Sequence, residues 1–338
     1  MGRNVCRCLA VWLGLLLMLM LGSCSGTDRG VTVSANTTAF GTVLTLKVTG
    51  PTRADADRTV ALLLEETARL EDVFSYSDPD SELSRLNREA YGKAVAVGKD
   101  LYAVIDRALE ICDRSGGALD IALGDLIELW HVETNEGEVP EIREEYLRER
   151  PTYRDVTLDG AARTVRYERE GLKIHLGAVA KGYLCEVLRD VVKEQNCTGI
   201  LNLGGSIQTV GRKAGGGEWK IGVADPERPD ASVASFPVGE ASVATSGSYQ
   251  RYFEADGVRY HHILDPKTGC PSASGLVSVT VTGPDGLVCD ALSTACFVLG
   301  RKDAELLMGR YPDYGALFIE DTGEDRTLTG CGSLEGVS

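Results

Sequence analysis

Paired cysteines are missing from this 338-residue sequence. Ten cysteines are present, but none stands in a C-x-x-C pair, which excludes an evident zinc site or a disulfide framework. Cys6, Cys8 and Cys24 belong to the N-terminal apolar stretch. Cys112, Cys185, Cys197, Cys270, Cys289, Cys296 and Cys331 form an odd set whose spacing selects no pair, and most are expected to be small buried apolar residues. Positive charge is also scarce. With 35 Lys and Arg against 50 Asp and Glu, the formal charge is −15 and the pI about 4.8, which argues against nucleic acid as a partner. Neither a Walker A loop nor a G-x-G-x-x-G turn occurs, and there is no internal repeat or low-complexity linker.

What is present begins with a leader. Arg3 and Arg7 precede an apolar run from Leu9 to Leu21 that ends in Leu21-Gly22-Ser23-Cys24, the plan of a secretory signal too short for a comfortable membrane span. The ending resembles the lipobox of bacterial lipoproteins. That resemblance implies cleavage before Cys24, diacylglycerol on its thiol and an extracytoplasmic, membrane-anchored location. Residues 1–23 are thus expected to be signal peptide, 24–38 a Thr/Ser-rich tether, and 39–338 a single catalytic unit.

Within that unit, apolar residues at helical spacing after Pro51 predict a helix to Phe74, and a second is predicted from Asp100 to Arg114. The charged, proline-bounded stretch 133–150 reads as a surface excursion. From Val156 onward short strands dominate: Val165–Tyr167, Leu172–Leu176, Gly199–Leu203, Trp219–Val223, Tyr249–Glu254, Val258–Leu264 and Leu276–Val281. Helices are expected at Ala180–Glu194, Leu287–Leu299 and near Lys302–Arg310. Strands beside strands with inserted helices indicate an α+β fold, one unit of two intimately packed lobes with mostly antiparallel sheets.

Four segments carry more glycine and ionisable residues than folding requires. His175 to Tyr183, with Lys181, would place free backbone N–H groups and a cation at a helix start, suited to a phosphate or equally to an ordinary turn. Asn202-Leu203-Gly204-Gly205 permits close approach of a ligand or simply a tight turn. Ala244–Tyr249 precedes Tyr260–Gly269, where strand alternation allows only one of His261 and His262 to face a site. Asp290 and Thr294 share one helix face and offer two hard oxygens of the kind magnesium prefers, unless Asp290 is an N-cap.

Together these segments resemble the ApbE family of FAD:protein FMN transferases, in collinear order from about Phe40 to Gly300. The matching pieces are Phe40-Gly41-Thr42, Tyr76 with Ser81–Asn87, Gly117–Asp120, the segment ending at Tyr183, Asn202–Gly205, Thr245–Gly247, His262–Pro266 and Asp290–Thr294. The resemblance implies an ApbE-like, T-fold-like architecture. It implies Mg²⁺ held by the Ala178 carbonyl, Asp290 and Thr294, and FAD contacts at Phe40, Tyr76, Ala118, Leu119, Asp120, His175, Lys181 and Ile263. His262 matches the family's proposed general base, with Lys181 neutralising phosphate charge. Phe40 replaces a usual methionine, and His175 a usual acidic residue. The implied partner is a threonine in an exported electron-transfer flavoprotein. The rival readings are a magnesium-dependent FAD pyrophosphatase and a lipoprotein that binds FAD without cleaving it.

Overall fold

Strand β1 (Val31–Ala39) pairs residue for residue with β2 (Thr42–Gly50), from Val31 opposite Gly50 to Ala39 opposite Thr42. This corrects the tether expectation over 31–38. The Thr/Val-rich stretch is an edge strand, as its β-propensity allows. The computed structural model describes residues 30–228, 230–321 and 326–337, so the leader and Cys24 lie outside the described residues. Thr52 then caps α1 (Arg53–Phe74) by accepting the Asp55 N–H, and Ala56, Val60, Leu63, Thr67, Leu70 and Phe74 form its buried stripe.

The next elements are α2 (Glu82–Glu89), β3 (Val95–Ala96), α3 (Lys99–Arg114), α4 (Gly124–Trp130), α5 (Glu144–Glu149), β4 (Val156–Asp159) and β5 (Thr164–Tyr167). They are followed by α6 (Ala180–Glu194), β6 (Thr198–Asn202), β7 (Ser206–Val210), β8 (Trp219–Ala224), β9 (Ser232–Val238) and β10 (Ala241–Gly247). The chain closes with β11 (Tyr252–Ala255), β12 (Val258–His261), β13 (Leu276–Gly283), α7 (Gly286–Leu299), α8 (Arg301–Met308), β14 (Gly315–Asp321) and β15 (Arg326–Gly332). The main sheet has the antiparallel order β1-β2-β6-β7-β10-β13-β14-β15. The α+β expectation therefore holds.

Side-chain alternation covers both faces of this sheet. Ala244, Ala316 and Phe318 face the core beneath α1, α6 and α7, while Val243, Leu317 and Ile319 pack against the β8–β9 ribbon with Ile221 and Phe236. The second lobe is the β3-β5-β4 sheet with α2 and α3. Its Leu86, Ile105, Val165 and Tyr167 belong to the same apolar cluster as Leu44, Val279 and Leu292, so one core runs through both lobes.

Two sequence expectations change here for physical reasons. Leu172–Leu176 is not a sheet strand. The Ile174 backbone is satisfied by the Asn87 amide, N–H to Oδ1 at 2.9 Å and carbonyl from Nδ2 at 2.8 Å, while the His175 N–H goes to the Ile121 carbonyl. The 133–150 excursion is not wholly superficial, because it contains α5 and ends at a buried Arg150. That guanidinium bonds the Ala122 carbonyl at 2.7 Å and Asp125 at 3.0 Å and lies 3.7 Å from Asp120.

Helices α6 and α7 cross at paired glycines. A Cβ on Gly182 would lie 2.2 Å from the Gly286 carbonyl oxygen and 2.8 Å from the Asp290 Cβ. Gly182→Ala is therefore expected to destabilise the protein by roughly 1–3 kcal/mol through overpacking against backbone. The check is the urea midpoint, and an unchanged midpoint would show that the crossing can open.

Candidate active site

The α6–α7 crossing also brings together the groups that could meet an anion. Asp285, not Asp290, caps α7 by accepting the Val288 N–H, so the capping role expected as an alternative for Asp290 belongs to another residue. Asp290 sits inside the helix and is buried. Among the described residues its carboxylate accepts the Gly182 N–H at 2.9 Å, meets the Ser206 hydroxyl at 3.4 Å and faces the Lys181 ammonium at 3.8 Å. Burial raises its pKa, with Lys181, Gly182 and Ser206 only partly offsetting the desolvation. A carboxylate with one short hydrogen bond keeps acceptor capacity in reserve.

One turn along, the Thr294 hydroxyl lies 3.1 Å from Ser246 Oγ, which in turn lies 2.8 Å from Ser293 Oγ. At the start of α6, the Gly182 N–H that would close a helical turn on the Ala178 carbonyl is directed to Asp290 instead. Asp290, Thr294 and Ala178 thus supply a buried carboxylate, a hydroxyl and a main-chain oxygen, all hard donors. Among the described residues no group of three His, Cys, Asp or Glu gathers for a metal, so a cation here would complete its shell from such oxygens and from its ligand. Lys181 Nζ folds back to the Gly177 carbonyl at 3.3 Å.

The hairpin β11–β12 carries the histidines. Asp256 and Gly257 both have positive φ, +49° and +77°, as a tight two-residue turn requires. Phe253 and Tyr260 stack at 5.2 Å, Tyr260 stacks on Trp130 of α4 at 5.6 Å, and the Trp130 indole donates to the Gly269 carbonyl. Strand β12 ends at His261, shorter than expected, and β11 begins only at Tyr252. His261 is buried with both ring nitrogens engaged. Its Nδ1 accepts the Ile263 N–H and its Nε2 donates to the Ser272 carbonyl, so it is structural.

His262 is different. Its Nδ1 lies 3.2 Å from the Arg251 carbonyl, which can only accept, so Nδ1 carries the proton and Nε2 keeps its lone pair. Burial lowers its pKa to about 3. The Arg251 carbonyl works against that shift, while the charges of Arg251 and Lys181 add to it. The imidazole is neutral at physiological pH.

His175 is also neutral. Burial, followed by Arg251 and Lys181, lowers it to about 4, and its Nδ1 accepts the Gly177 N–H. Its ring lies 4.9 Å from that of Tyr76, whose hydroxyl donates to Glu128 at 2.8 Å. Phe40 occupies the β1–β2 turn at φ +53°, uncommon for a bulky side chain, and its N–H is held by Glu71. The neighbouring Gly204 has φ +68°, and a Cβ there would come within 2.2 Å of Thr42 Oγ1, so the two glycine-rich turns interlock.

The remaining predicted contacts are less exposed. Ala118, Leu119 and Asp120 are buried, and the Asp120 carboxylate faces inward to the Ala122 and Tyr153 N–H groups. Ile263 is buried, its N–H on His261 and its carbonyl accepting from Ser272. These residues can meet a ligand mainly through backbone. Ser246 lies in the Thr245–Gly247 piece named above, whereas Arg251 and Glu128 were not singled out by the sequence. Each acts through a partner far along the chain, so no local pattern marks it.

The profile of the ApbE family matches residues 40–318. An FAD:protein FMN transferase of Treponema pallidum is 36% identical over 333 residues, covering 91% of this chain and 90% of the relative. One from Klebsiella pneumoniae is 33% identical, covering 83% and 86%. Among solved structures, the ApbE protein of Thermotoga maritima superposes with a TM-score of 0.80 at 33% identity, covering 88% of this chain and 96% of that one. The flavin transferase ApbE of Vibrio cholerae gives 0.80 at 27% identity, covering 90% and 98%.

Proposed function

The chain belongs to the ApbE family, and from that premise we infer that it is an FAD:protein FMN transferase that moves FMN from FAD onto a threonine hydroxyl of an acceptor flavoprotein. The observation that carries the chemistry is the tautomer of His262 set by the Arg251 carbonyl, which leaves Nε2 unprotonated within electrostatic reach of Lys181, itself 3.8 Å from Asp290.

The acceptor hydroxyl gives its proton to His262 Nε2 as its oxygen attacks the FMN-side phosphorus. The phosphorus–oxygen bond to AMP breaks, and AMP leaves with the electron pair. Lys181 faces the charge that builds on the phosphate oxygens. Asp290, Thr294 and the Ala178 carbonyl would hold Mg²⁺, which when bound supplies Lewis-acid neutralisation of the pyrophosphate. Tyr76, braced by Glu128, and His175 form an aromatic wall on which a ring of the dinucleotide can rest.

The acceptor is proposed to be an exported electron-transfer protein, and the enzyme to be tethered outside the cytoplasm by lipid on Cys24. The leader and the Leu21–Cys24 ending support that location.

The test incubates purified protein with FAD and a threonine-bearing acceptor domain, with Mg²⁺ or with EDTA, and weighs the acceptor. The expected result is a mass gain of FMN less one water, in the Mg²⁺ sample alone. An unmodified acceptor beside accumulating free FMN and AMP would instead identify a pyrophosphatase, and intact FAD would identify a binding protein.

A further inference from the structure

Lys181 is not the sole cation at this site. Arg251 lies between β10 and β11, and its main chain is fixed by the His262 ring and N–H, both bonded to its carbonyl at 3.2 and 3.1 Å. Its guanidinium reaches toward the β1–β2 turn, where a Cβ on Gly41 would sit 3.6 Å from Nη2. Its charge acts on both His175 and His262, as that of Lys181 does. The acidic partner of Arg251 is Glu133, at 2.5 Å from Nη1, on the loop after α4. The Glu133 side chain is 62% exposed and that of Arg251 38% exposed. A firmly anchored backbone therefore carries a solvent-accessible planar cation whose counter-ion is an exposed surface carboxylate.

We propose, resting on the flavin-transferase reading, that Arg251 is an anion-binding residue whose guanidinium takes a phosphate of the dinucleotide, and that Glu133 holds its place until substrate arrives. The guanidinium fork matches two phosphate oxygens, which an ammonium cannot do. An exposed ion pair contributes little by itself, so a pyrophosphate displaces Glu133 readily. In a chain with net charge −15, a site that must attract an anion gains from a second cation.

The test titrates FAD, in the presence of Mg²⁺, into the wild-type protein and into Arg251→Gln, Arg251→Lys and Glu133→Gln, following flavin fluorescence. Arg251→Gln is expected to weaken FAD binding about 10- to 100-fold. Glu133→Gln is expected to bind as tightly as wild type or more tightly, because the competitor is gone. Arg251→Gln with wild-type affinity would overturn the proposal, and so would equal weakening by Arg251→Gln and Glu133→Gln, the mark of a purely structural pair. Should thermal melting show that Arg251→Gln does not fold, Arg251→Lys decides. A loss of about threefold or more supports the fork, and wild-type affinity overturns it. If the wild-type protein binds no FAD, the flavin-transferase reading falls and takes this proposal with it. If only the Arg251 prediction fails, that reading stands.

Discussion

Asp290→Asn is expected to lower AMP release from FAD by on the order of 10²–10³-fold, the usual effect of removing one charge-stabilising group from an active site, with the melting temperature unchanged or higher. The two halves of that expectation come from one observation. Burial of the Asp290 carboxylate raises its pKa despite Lys181 at 3.8 Å and Gly182 at 2.9 Å, so its surroundings do not fully offset the cost of charging it. Asparagine keeps an oxygen for the Gly182 N–H and removes the charge, so the metal-free protein loses nothing essential. What it loses is the anionic donor proposed to hold the metal together with Thr294 and the Ala178 carbonyl. Stability held at the expense of function is the signature of a residue kept for chemistry. The measurement is AMP release across a Mg²⁺ titration, with a melt on the same samples. Turnover at the wild-type rate, or a large fall in melting temperature, would return Asp290 to a purely structural role as a partner for the start of α6.

Much of this arrangement could be read along the chain, and what escaped did so for identifiable reasons. Helix α1 was legible because its buried residues recur at three- and four-residue spacing behind a Thr52 cap. Helix α7 was legible as an apolar run, and the Asp290–Thr294 pair within it by its i,i+4 spacing. Strand β14 was missed because Ala316 to Ile319 are buried on both faces of the sheet, which erases the period-two signal. The segment Leu172–Leu176 was misread as a sheet strand because its Ile174 backbone is satisfied by a side chain, Asn87, some 87 positions away, and no local rule anticipates that. The same holds at the site. His262, Lys181 and Asp290 stand in recognisable short motifs, whereas Arg251 is defined by Glu133, 118 positions distant, and Tyr76 is braced by Glu128, 52 positions distant. Motifs reveal groups whose chemistry is local, and pairings across the fold reveal the groups that orient them.

His262→Asn is expected to lower FMN transfer by roughly 10²–10⁴-fold, the range for losing a positioned general base, while FAD affinity stays close to that of wild type. The asparagine amide can still donate to the Arg251 carbonyl as Nδ1 does, so the local hydrogen bond survives and only the proton acceptor at Nε2 is lost. The pH dependence follows from the same geometry. An unfolded histidine titrates near 6.5, and the folded His262 near 3. Between those values the unfolded chain binds the extra proton, so the stability associated with a neutral His262 is complete above about pH 6.5 and is lost as pH falls toward 3. His262→Asn removes that acid-dependent loss, and its acid-unfolding midpoint should shift to lower pH. The transfer rate at low FAD should likewise show no inflection from this residue near pH 6.5, because the base is already unprotonated there. A wild-type profile that falls with an apparent pKa near 6.5, and flattens in His262→Asn, would mean that the imidazole charges freely and is not buried against Arg251 and Lys181. Transfer by His262→Asn at the wild-type rate would remove His262 from the reaction altogether.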